Sequence, residues 1–314
     1  MKKKVAISIG DLNGIGIQLA LENHNTLVKE ISPLYCIDNT MLTQAAKKLN
    51  ITIPDDFITI ENIAQSFEIE AGVVSADSGA YAYASFVKAV ELARKNKVDA
   101  ICTLPIHKKA WELAGIKYKG HTDALRDFFN AEAIMMLGCE KMYVALFTEH
   151  IPLKKVAQSI NEKDLTRFLV DFYKTARPTS TVAVLGLNPH AGDDGVLGDE
   201  ETIIQRAIDN ANASLRQAQG TVAKPTEIYS DPLVPDVAFT PNVRKNYTHY
   251  IAMYHDQGLA PLKALYFDEG INVSLNLPIL RTSVDHGTAF DIAYKNTKLN
   301  SLSYINAIKY IVTN

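Results

Sequence analysis

The feature that most constrains the fold of this chain is an alternation of short apolar runs with longer amphipathic segments. The runs have the length of strands, roughly 4–8 residues, and most lack the polar alternation of a sheet with one solvated face. Strands buried on both faces and separated by helices are typical of parallel βαβ units, so we predict an α/β fold. The six clearest predicted strands are Val5–Ile9, Pro33–Ile37, Ala100–Leu104, Ala133–Leu137, Met142–Thr148 and Thr181–Leu187.

Helical periodicity fills most of the segments between these runs. The predicted helices are Ile17–His24, Asn39–Leu49, Gly79–Asn96, Glu162–Arg177, Glu200–Ala218 and Ser301–Val312. A chain of 314 residues is long enough for two lobes with a cleft between them. We expect the whole chain to form one functional unit with two lobes. One lobe is discontinuous in sequence and comprises about residues 1–130 and 280–314, and the other comprises about residues 131–279. Gln217–Ser230 is predicted to be an exposed linker, and Pro232, Pro235 and Pro241 mark a second irregular region.

Charge and hydropathy exclude some classes of partner. The 32 basic and 35 acidic residues give a net charge of −3, without the basic excess of a nucleic-acid-binding protein. No apolar stretch approaches the ~20 residues of a membrane span, and the run before Asp11 is too short for a signal peptide. The three cysteines, Cys36, Cys102 and Cys139, are widely spaced, which favours a reducing compartment and a cytoplasmic protein.

A glycine-rich turn follows the first predicted strand. Gly10, Gly14 and Gly16 have the spacing GxxxGxG, which matches neither the Rossmann fingerprint nor a phosphate-binding P-loop. Backbone amides at the start of a helix there could receive an anionic ligand, and a tight turn without a ligand explains the glycines equally well. Similarly, His121 and Thr122 are predicted at a helix start, either facing an anion or forming a simple cap beside a surface histidine.

Three histidines each follow a predicted strand at its carboxyl end, where open α/β sheets bind ligands. They are His150, His190 and His255. A single histidine of this kind is more often structural, but three neutral imidazoles with an open position are typical of a catalytic divalent-metal site. The segment around His255 also carries Asp256 and Lys263.

A second set of residues suits a small anionic substrate. Arginine recognises phosphate or carboxylate through two parallel N–H groups. The candidate anion-binding residues are His121, Thr122, Lys263, Asn272 and Arg281.

Taken together, these segments resemble the PdxA family, the 4-hydroxythreonine-4-phosphate dehydrogenases of vitamin B6 biosynthesis. The resemblance covers nearly the whole chain in order. It is carried by GDLNGIG, LPIHK, GHTD, TEHIPL, GLNPHAGDDGVLGDEE, MYHDQGLAPLK and RTSVDHGTAFDIA. The resemblance implies NAD-dependent oxidation of 4-(phosphooxy)-L-threonine at C3, followed by decarboxylation to 3-amino-2-oxopropyl phosphate.

The resemblance also implies roles for individual residues. His150, His190 and His255 match the family's metal ligands, which come from both subunits of a homodimer. His121, Thr122, Lys263, Asn272 and Arg281 match substrate-binding positions. Asp256 and Lys263 are candidate catalytic residues, with Asp256 either orienting a histidine or acting as a base. The sequence does not select among zinc, magnesium, cobalt and manganese, or between NAD and NADP.

The fold implied is that of the isocitrate and isopropylmalate dehydrogenases, not a Rossmann fold. A segment near the C-terminus is similar to the adenine-side loop of isopropylmalate dehydrogenases. By this similarity the expected cofactor-binding residues are His286, Gly287, Thr288 and Asp291, together with Gly14 of the glycine-rich turn.

The chain departs from the family pattern at several positions. Leu12, Asn13, Ile17 and Gln18 replace the usual Pro, Ala, Pro and Glu; His107 replaces Asn; Tyr294 and Asn296 replace glycines of the related loop. These departures leave two alternatives open: a dehydrogenase of 4-phospho-D-threonate or 4-phospho-D-erythronate, and a non-catalytic protein that binds a phosphorylated ligand. A phosphate acetyltransferase is a third alternative, because those enzymes share the general fold without needing NAD or a three-histidine metal site.

Overall fold

The computed structural model of the protein describes residues 1–219 and 227–314. Over these residues the strands, in chain order, are β1 (Lys3–Ser8), β2 (Ile31–Cys36), β3 (Ala100–Thr103), β4 (Ile134–Cys139), β5 (Met142–Leu146), β6 (Val182–Leu185), β7 (Tyr229–Leu233), β8 (His249–Ala252), β9 (Ile271–Leu275) and β10 (Leu280–Val284). The helices are α1 (Gly16–Leu27), α2 (Asn39–Leu49), α3 (Ala76–Arg94), α4 (Lys108–Leu113), α5 (His121–Phe129), α6 (Val156–Ser159), α7 (Glu162–Ala176), α8 (Glu200–Gln219), α9 (Pro235–Ala238), α10 (Pro241–Arg244), α11 (His255–Tyr266) and α12 (Leu302–Thr313).

The chain forms two compact units. The first comprises Met1–Ala133 and Asp268–Asn314. Its strands lie in the order β2-β1-β3-β10-β9, and every neighbouring pair is parallel except β10 and β9. Its core is formed by strand residues such as Ala6 and Ile101 packed against Phe86, Val90 and Trp111 from the helices.

The second unit comprises Ile134–Phe267. Its strands lie in the order β4-β5-β8-β6-β7, with β4 and β5 antiparallel and the remaining neighbours parallel. Leu137, Val144, Leu185 and Tyr250 from the strands pack against Leu259 of α11 and bury its inner face. This packing fixes the helix that begins at one of the candidate histidines.

The six predicted helices and the six predicted strands are all present, with ends shifted by a few residues. Of the other four strands, β8 is the strand expected before His255, whereas β7, β9 and β10 were not predicted. Pro232 interrupts the pattern of β7, Asn272 and Ser274 that of β9, and the polar run Arg281–Ser283 that of β10. The middle of the predicted linker Gln217–Ser230 lies outside the described residues. At its ends, α8 runs to Gln219 and β7 begins at Tyr229, so those ends are not linker.

The helix α11 was also not predicted, because its sequence contains Gly258 and Pro261, residues that disfavour helix interiors. The glycine is required by packing: a Cβ at Gly258 would lie 2.4 Å from a methyl group of Val144 and 2.8 Å from Ala252. Among the helices in the described parts of the chain, none has the length and apolar character that crossing a membrane requires.

Candidate active site

A buried arginine is the centre of the first candidate cluster, which lies in the first unit. Arg281 of β10 is 2% exposed. Its Nη2 and Nε donate to Thr103 Oγ1 at 2.7 and 3.2 Å, and its Nη1 donates to Ser274 Oγ at 3.2 Å. These partners lie on β3 and β9, the two strands that flank β10, so the sheet itself orients the guanidinium.

The second member of this cluster is His121, at the first position of α5. Its Nδ1 lies 3.2 Å from Arg281 Nη2. Because an arginine N–H can only donate, Nδ1 must accept, and we assign the proton of the neutral ring to Nε2. That Nε2 is buried and has no partner among the described residues. A buried donor without a partner is costly, so this N–H is available to a ligand.

The electrostatics of this cluster favour an anion. Burial lowers the pKa of Arg281 to about 10, which still leaves it charged at neutral pH. Burial and the nearby guanidinium hold the pKa of His121 well below its usual range, so this ring is neutral. The groups that contact Arg281 in the described structure are hydroxyls, the imidazole and an amide oxygen, and none is a carboxylate. A buried positive charge without a counter-ion is a receptor for a negatively charged group.

The other predicted residues of this set are also located by the structure. Asn272 Oδ1 lies 3.5 Å from Arg281 Nη1, and Thr122 is buried at the second position of α5. The expectation that Thr122 caps this helix is wrong: the N-cap residue is Gly120, without a side-chain cap. Instead, Asp123 in the first turn accepts a hydrogen bond from the backbone N–H of Lys119 at 3.0 Å.

Thr103 and Ser274 were not identified from the sequence. Both are hydroxyl residues buried in strands. A hydroxyl inside an otherwise apolar run was the available signal, because a buried hydroxyl requires a hydrogen-bond partner.

The second cluster lies in the second unit and contains two of the predicted histidines. His150 follows β5, and His255 begins α11 directly after β8. Their ring centroids are 5.5 Å apart. Rings at this separation can bind one divalent ion between them, since a zinc–nitrogen bond is about 2.0–2.1 Å long.

Asp256 lies beside this pair. Its Oδ1 is 2.7 Å from Nδ1 of His255. A carboxylate on one imidazole nitrogen orients the ring and leaves the other nitrogen, Nε2, for a ligand. With this geometry, Asp256 can orient the imidazole ring of His255. Lys263 lies on the same helix, with its Nζ 5.6 Å from the centre of the Phe267 ring.

His190 lies in an unusual loop after β6. Residues 190–194 all have positive φ values, between 46° and 83°. Four of these five residues are not glycine, so the loop has a conformation that costs of order 1 kcal/mol or more at each such position. The loop is held at its start, where Leu187 and Asn188 donate their backbone N–H groups to Glu201 Oε1 at 2.8 and 2.7 Å.

Within the described ranges, no three histidine, cysteine, aspartate or glutamate side chains are arranged to hold a metal ion. His150 and His255 are close together, whereas His190 is exposed on its loop and does not complete a three-ligand set with them. The chain by itself thus offers part of a divalent-metal site.

The third cluster, again in the first unit, joins the glycine-rich turn to the segment after β10. A Cβ at Gly14 would lie 2.8 Å from the backbone oxygen of Thr288 and 3.2 Å from the Phe290 ring. Ile15 N donates to the same Thr288 oxygen at 3.1 Å. The absence of a side chain at Gly14 is therefore explained by close packing of the two loops against each other.

The predicted cofactor residues lie along the segment that follows β10. His286 Nδ1 is 3.1 Å from the backbone oxygen of Gly287, and its Nε2 is buried without a partner among the described residues. A Cβ at Gly287 would meet nothing within 4 Å, so open space lies beside this backbone. Asp291 is exposed on the following turn. An open backbone and an unpartnered imidazole nitrogen fit the edge of a cofactor site.

Two departures from the family pattern contact each other. Tyr294 donates its hydroxyl proton to the backbone oxygen of Leu12 at 2.7 Å. Tyr294 and Asn296 have φ values of 59° and 53°, the left-handed conformation that glycine adopts most easily. The loop thus has the left-handed backbone conformation that two glycines would adopt at these positions, and the tyrosine hydroxyl links the loop to the glycine-rich turn by a hydrogen bond.

Asp11 of the glycine-rich turn is a further titratable group that sequence reasoning did not single out. It is fully buried and accepts hydrogen bonds from Asn13 N at 3.0 Å and from Ser78 Oγ at 3.2 Å. Burial outweighs these two bonds and raises its pKa to about 6. The turn therefore changes charge slightly below neutral pH.

Comparison with known proteins identifies the family. The model of the pyridoxal phosphate biosynthetic protein PdxA matches residues 29–311. The chain is 58% identical over 308 residues to the 4-hydroxythreonine-4-phosphate dehydrogenase of Sulfurimonas denitrificans, covering 98% of this chain and 96% of that protein. It is 47% identical to the protein of the same name from Helicobacter pylori strain HPAG1, covering 99% of each.

Solved structures agree with this result. The 4-hydroxythreonine-4-phosphate dehydrogenase from Burkholderia phymatum superposes with a TM-score of 0.79 at 30% identity, covering 99% of this chain and 98% of that one. At the level of the fold alone, a β-decarboxylating dehydrogenase from Thermococcus kodakarensis matches with a TM-score of 0.50 and 12% identity, covering 97% and 81% of the two chains. The predicted fold class is confirmed. This chain belongs to the PdxA family.

Proposed function

We propose that this chain catalyses NAD- and divalent-metal-dependent oxidation of 4-(phosphooxy)-L-threonine at C3, followed by decarboxylation, in pyridoxal phosphate biosynthesis. The names of the relatives support this substrate. The observation that carries the proposal is the buried charge of Arg281 beside the unpartnered Nε2 of His121. A phosphate ester or a carboxylate supplies the negative charge and the acceptor oxygens that this pair lacks.

In this proposal the first cluster binds an anionic end of the substrate. Arg281 supplies the positive charge, His121 donates from Nε2, and Thr122 and the backbone N–H groups at the start of α5 supply further donors. Asn272 and Lys263 complete the predicted substrate-binding set. Because the guanidinium is already held by Thr103 and Ser274, little reorganisation is needed when the anion arrives.

The proposed metal ligands are His150, His190 and His255, with Asp256 orienting His255. When bound, a divalent ion lowers the pKa of a hydroxyl that coordinates it and stabilises the negative charge left on oxygen. Zinc, cobalt, manganese and magnesium all remain candidates for this ion.

The proposed active form is a homodimer in which the two subunits share the metal ligands. The incomplete ligand set of one described chain supports this proposal. Large apolar side chains also stand exposed close to the histidines: Leu153 follows His150, and Val196 and Leu197 follow the His190 loop, with exposures of 70%, 78% and 46%. Exposed apolar residues beside an incomplete site are typical of an interface between subunits. A cytoplasmic location is part of the proposal and is supported by the wide spacing of the three cysteines in the sequence.

The cofactor proposal assigns NAD to the third cluster. His286, Gly287, Thr288 and Asp291 would contact or shape its site, with Gly14 acting through its close packing on Thr288. NADP is the second candidate for the same position.

The proposed reaction balances without a further oxidant. NAD, held by His286, Gly287, Thr288 and Asp291, would accept the hydride from C3, while the C3 hydroxyl would give up its proton. The resulting β-keto acid would then lose its C1 carboxylate as carbon dioxide, and C2 would take up one proton in its place. The product is 3-amino-2-oxopropyl phosphate. Lys263 and Asp256 are the candidate groups for proton transfer, and Arg281 holds the anionic end in place while the bond to carbon dioxide breaks.

The proposal is tested by comparing substrates that differ in one group. We expect NADH formation with 4-(phosphooxy)-L-threonine and at least about 100-fold lower kcat/KM with 4-hydroxy-L-threonine, because the latter loses about 3 kcal/mol of charge-assisted contacts. Turnover only with 4-phospho-D-threonate or 4-phospho-D-erythronate would show that the proposed substrate is wrong, while the proposed dehydrogenase activity would stand. Absence of turnover with all of these compounds would favour a ligand-binding protein.

A further inference from the structure

The three candidate metal ligands come from three different strand ends, and one buried side chain connects those ends. Gln257, the third residue of α11, is 9% exposed. Its Oε1 accepts a hydrogen bond from the backbone N–H of Met253 at 2.7 Å. Its Nε2 donates to the backbone oxygen of Gly186 at 2.6 Å. An amide has the required acceptor and donor on one side chain.

Each of these bonds ends close to a candidate ligand. Met253 is two residues before His255, and Gly186 is four residues before His190. Met253 extends the connection to the third ligand, because its backbone oxygen accepts from Thr148 N at 3.2 Å and from Thr148 Oγ1 at 2.6 Å. Thr148 is two residues before His150. One amide is therefore hydrogen-bonded, directly or through one residue, to the backbone that leads to all three histidines.

The arrangement differs from ordinary helix capping. A capping glutamine at the third helical position reaches back to the N-cap residue of its own helix, which here is Tyr254. Gln257 instead accepts a hydrogen bond from the backbone N–H one residue further back, at Met253, and its own N–H group donates to Gly186 at the end of β6. A purely local function would not require the second bond, which spans 71 residues of chain.

We propose that Gln257 is a positioning residue that holds the strand ends carrying His150, His190 and His255 in the arrangement needed for metal binding. The inference rests on the metal site of the proposed function and assigns no contact with metal or substrate to Gln257. The loop of His190 has a strained left-handed backbone, so its placement depends on such anchors. Outer residues that orient ligands typically contribute about 10–100-fold to metal affinity.

The test uses Gln257→Glu, which keeps the acceptor for Met253 but places a carboxylate oxygen against the oxygen of Gly186. The matched control is Gln44→Glu. Gln44 makes the same pair of bonds elsewhere, accepting from Ile69 N at 2.6 Å and donating to Phe67 O at 3.0 Å. Both variants thus lose one amide donor to a backbone oxygen.

Two measurements are made on the full-length protein in its native oligomeric state. The first is amide hydrogen exchange of the metal-free protein. We expect Gln257→Glu to accelerate exchange in residues 186–192 as well as in 253–257, and Gln44→Glu to change neither segment. The second is the Kd for Co²⁺ from competition with a chromophoric chelator, which we expect to rise about 10-fold in Gln257→Glu and to stay unchanged in Gln44→Glu.

The proposal is overturned if exchange rises only in 253–257, or if the Kd stays at the wild-type value while thermal stability falls. Should Gln257→Glu fail to fold, Gln257→Met, with similar length and no charge, is measured in the same way. His255→Ala separates the two hypotheses: if it leaves Co²⁺ binding unchanged, the proposed metal site is wrong. The exchange experiment is independent of metal and still decides whether Gln257 couples the two loops.

Discussion

Replacement of Arg281 by methionine tests whether this arginine contributes mainly to ligand binding or mainly to the stability of the fold. Methionine has a similar length and no charge, so the substitution removes the guanidinium without opening a large cavity. Arg281→Lys is the companion variant, because it keeps the charge but loses the planar fork of donors.

The expected effect on stability is small because two contributions oppose each other. Burial lowers the pKa of Arg281 to about 10, below the usual value for arginine, and at about 1.4 kcal/mol per pKa unit the buried charge costs folding about 3 kcal/mol. Against this, the guanidinium donates to Thr103 and Ser274, and such bonds contribute about 1 kcal/mol each. We expect the free energy of unfolding of the ligand-free Arg281→Met protein to change by no more than about 1 kcal/mol.

In contrast to the small change in stability, we expect a large loss of affinity for the phosphorylated substrate. Loss of the charge removes at least about 3 kcal/mol of charge-assisted contacts to an anion, which corresponds to about 100-fold in KM for the phosphorylated substrate. The assay combines thermal unfolding, with and without inorganic phosphate, with steady-state kinetics. The reasoning is refuted if Arg281→Met is destabilised by 3–5 kcal/mol, as expected on breaking a buried ion pair, while phosphate stabilises it as much as the wild type.

Three further substitutions test a proposed metal ligand, a largely buried histidine of β8 outside the three clusters, and the loop beside the proposed cofactor site. His190→Ala should abolish turnover and weaken divalent-metal binding, because one of three proposed ligands is removed. His249→Phe should remove an acid-dependent loss of stability of about 3 kcal/mol, because burial lowers the pKa of His249 to about 4 and protonation therefore favours the unfolded chain as pH falls from about 6.5 toward 4. Tyr294→Phe should raise the KM for NAD, because the bond to Leu12 O is lost, while changing stability by only about 1 kcal/mol.

Each of these expectations has a result that contradicts it. Wild-type metal content and rate in His190→Ala would remove it from the ligand set. An unchanged slope of stability between pH 6.5 and 4 in His249→Phe, measured by denaturant unfolding, would show that other groups cause the acid sensitivity. An unchanged KM for NAD in Tyr294→Phe would separate the loop contact from cofactor binding.

The sequence predicted the elements whose patterns are strong and local. The buried parallel strands and the long helices were found because near-continuous apolar runs and helical spacing each persist over many residues. The helix α11 was missed because Gly258 and Pro261 oppose helix formation locally, and tertiary packing against Val144 and Ala252 overrides that preference. The strand β9 was missed because it mixes apolar residues with Asn272 and Ser274, which face the arginine.

The candidate site shows the same division. Histidines, the arginine and the glycines could be identified by residue type and by their position after predicted strands. Thr103, Ser274 and Gln257 could not, because hydroxyl and amide side chains acquire a function only through partners that are distant in sequence. Arg281 and Thr103 are 178 positions apart in the chain, and Gln257 and Gly186 are 71 apart. Such pairings depend on strand order, which the local pattern does not specify.

The most direct test of the proposed activity is NADH formation by metal-stripped protein before and after a divalent ion is restored. The assay contains 4-(phosphooxy)-L-threonine and NAD, and the increase in NADH absorbance is followed. We expect no turnover after stripping, recovery when Zn²⁺, Co²⁺, Mn²⁺ or Mg²⁺ is added, and one carbon dioxide released for each NADH. Full activity of the stripped protein, or no activity at any metal concentration with this substrate, would contradict the proposed function.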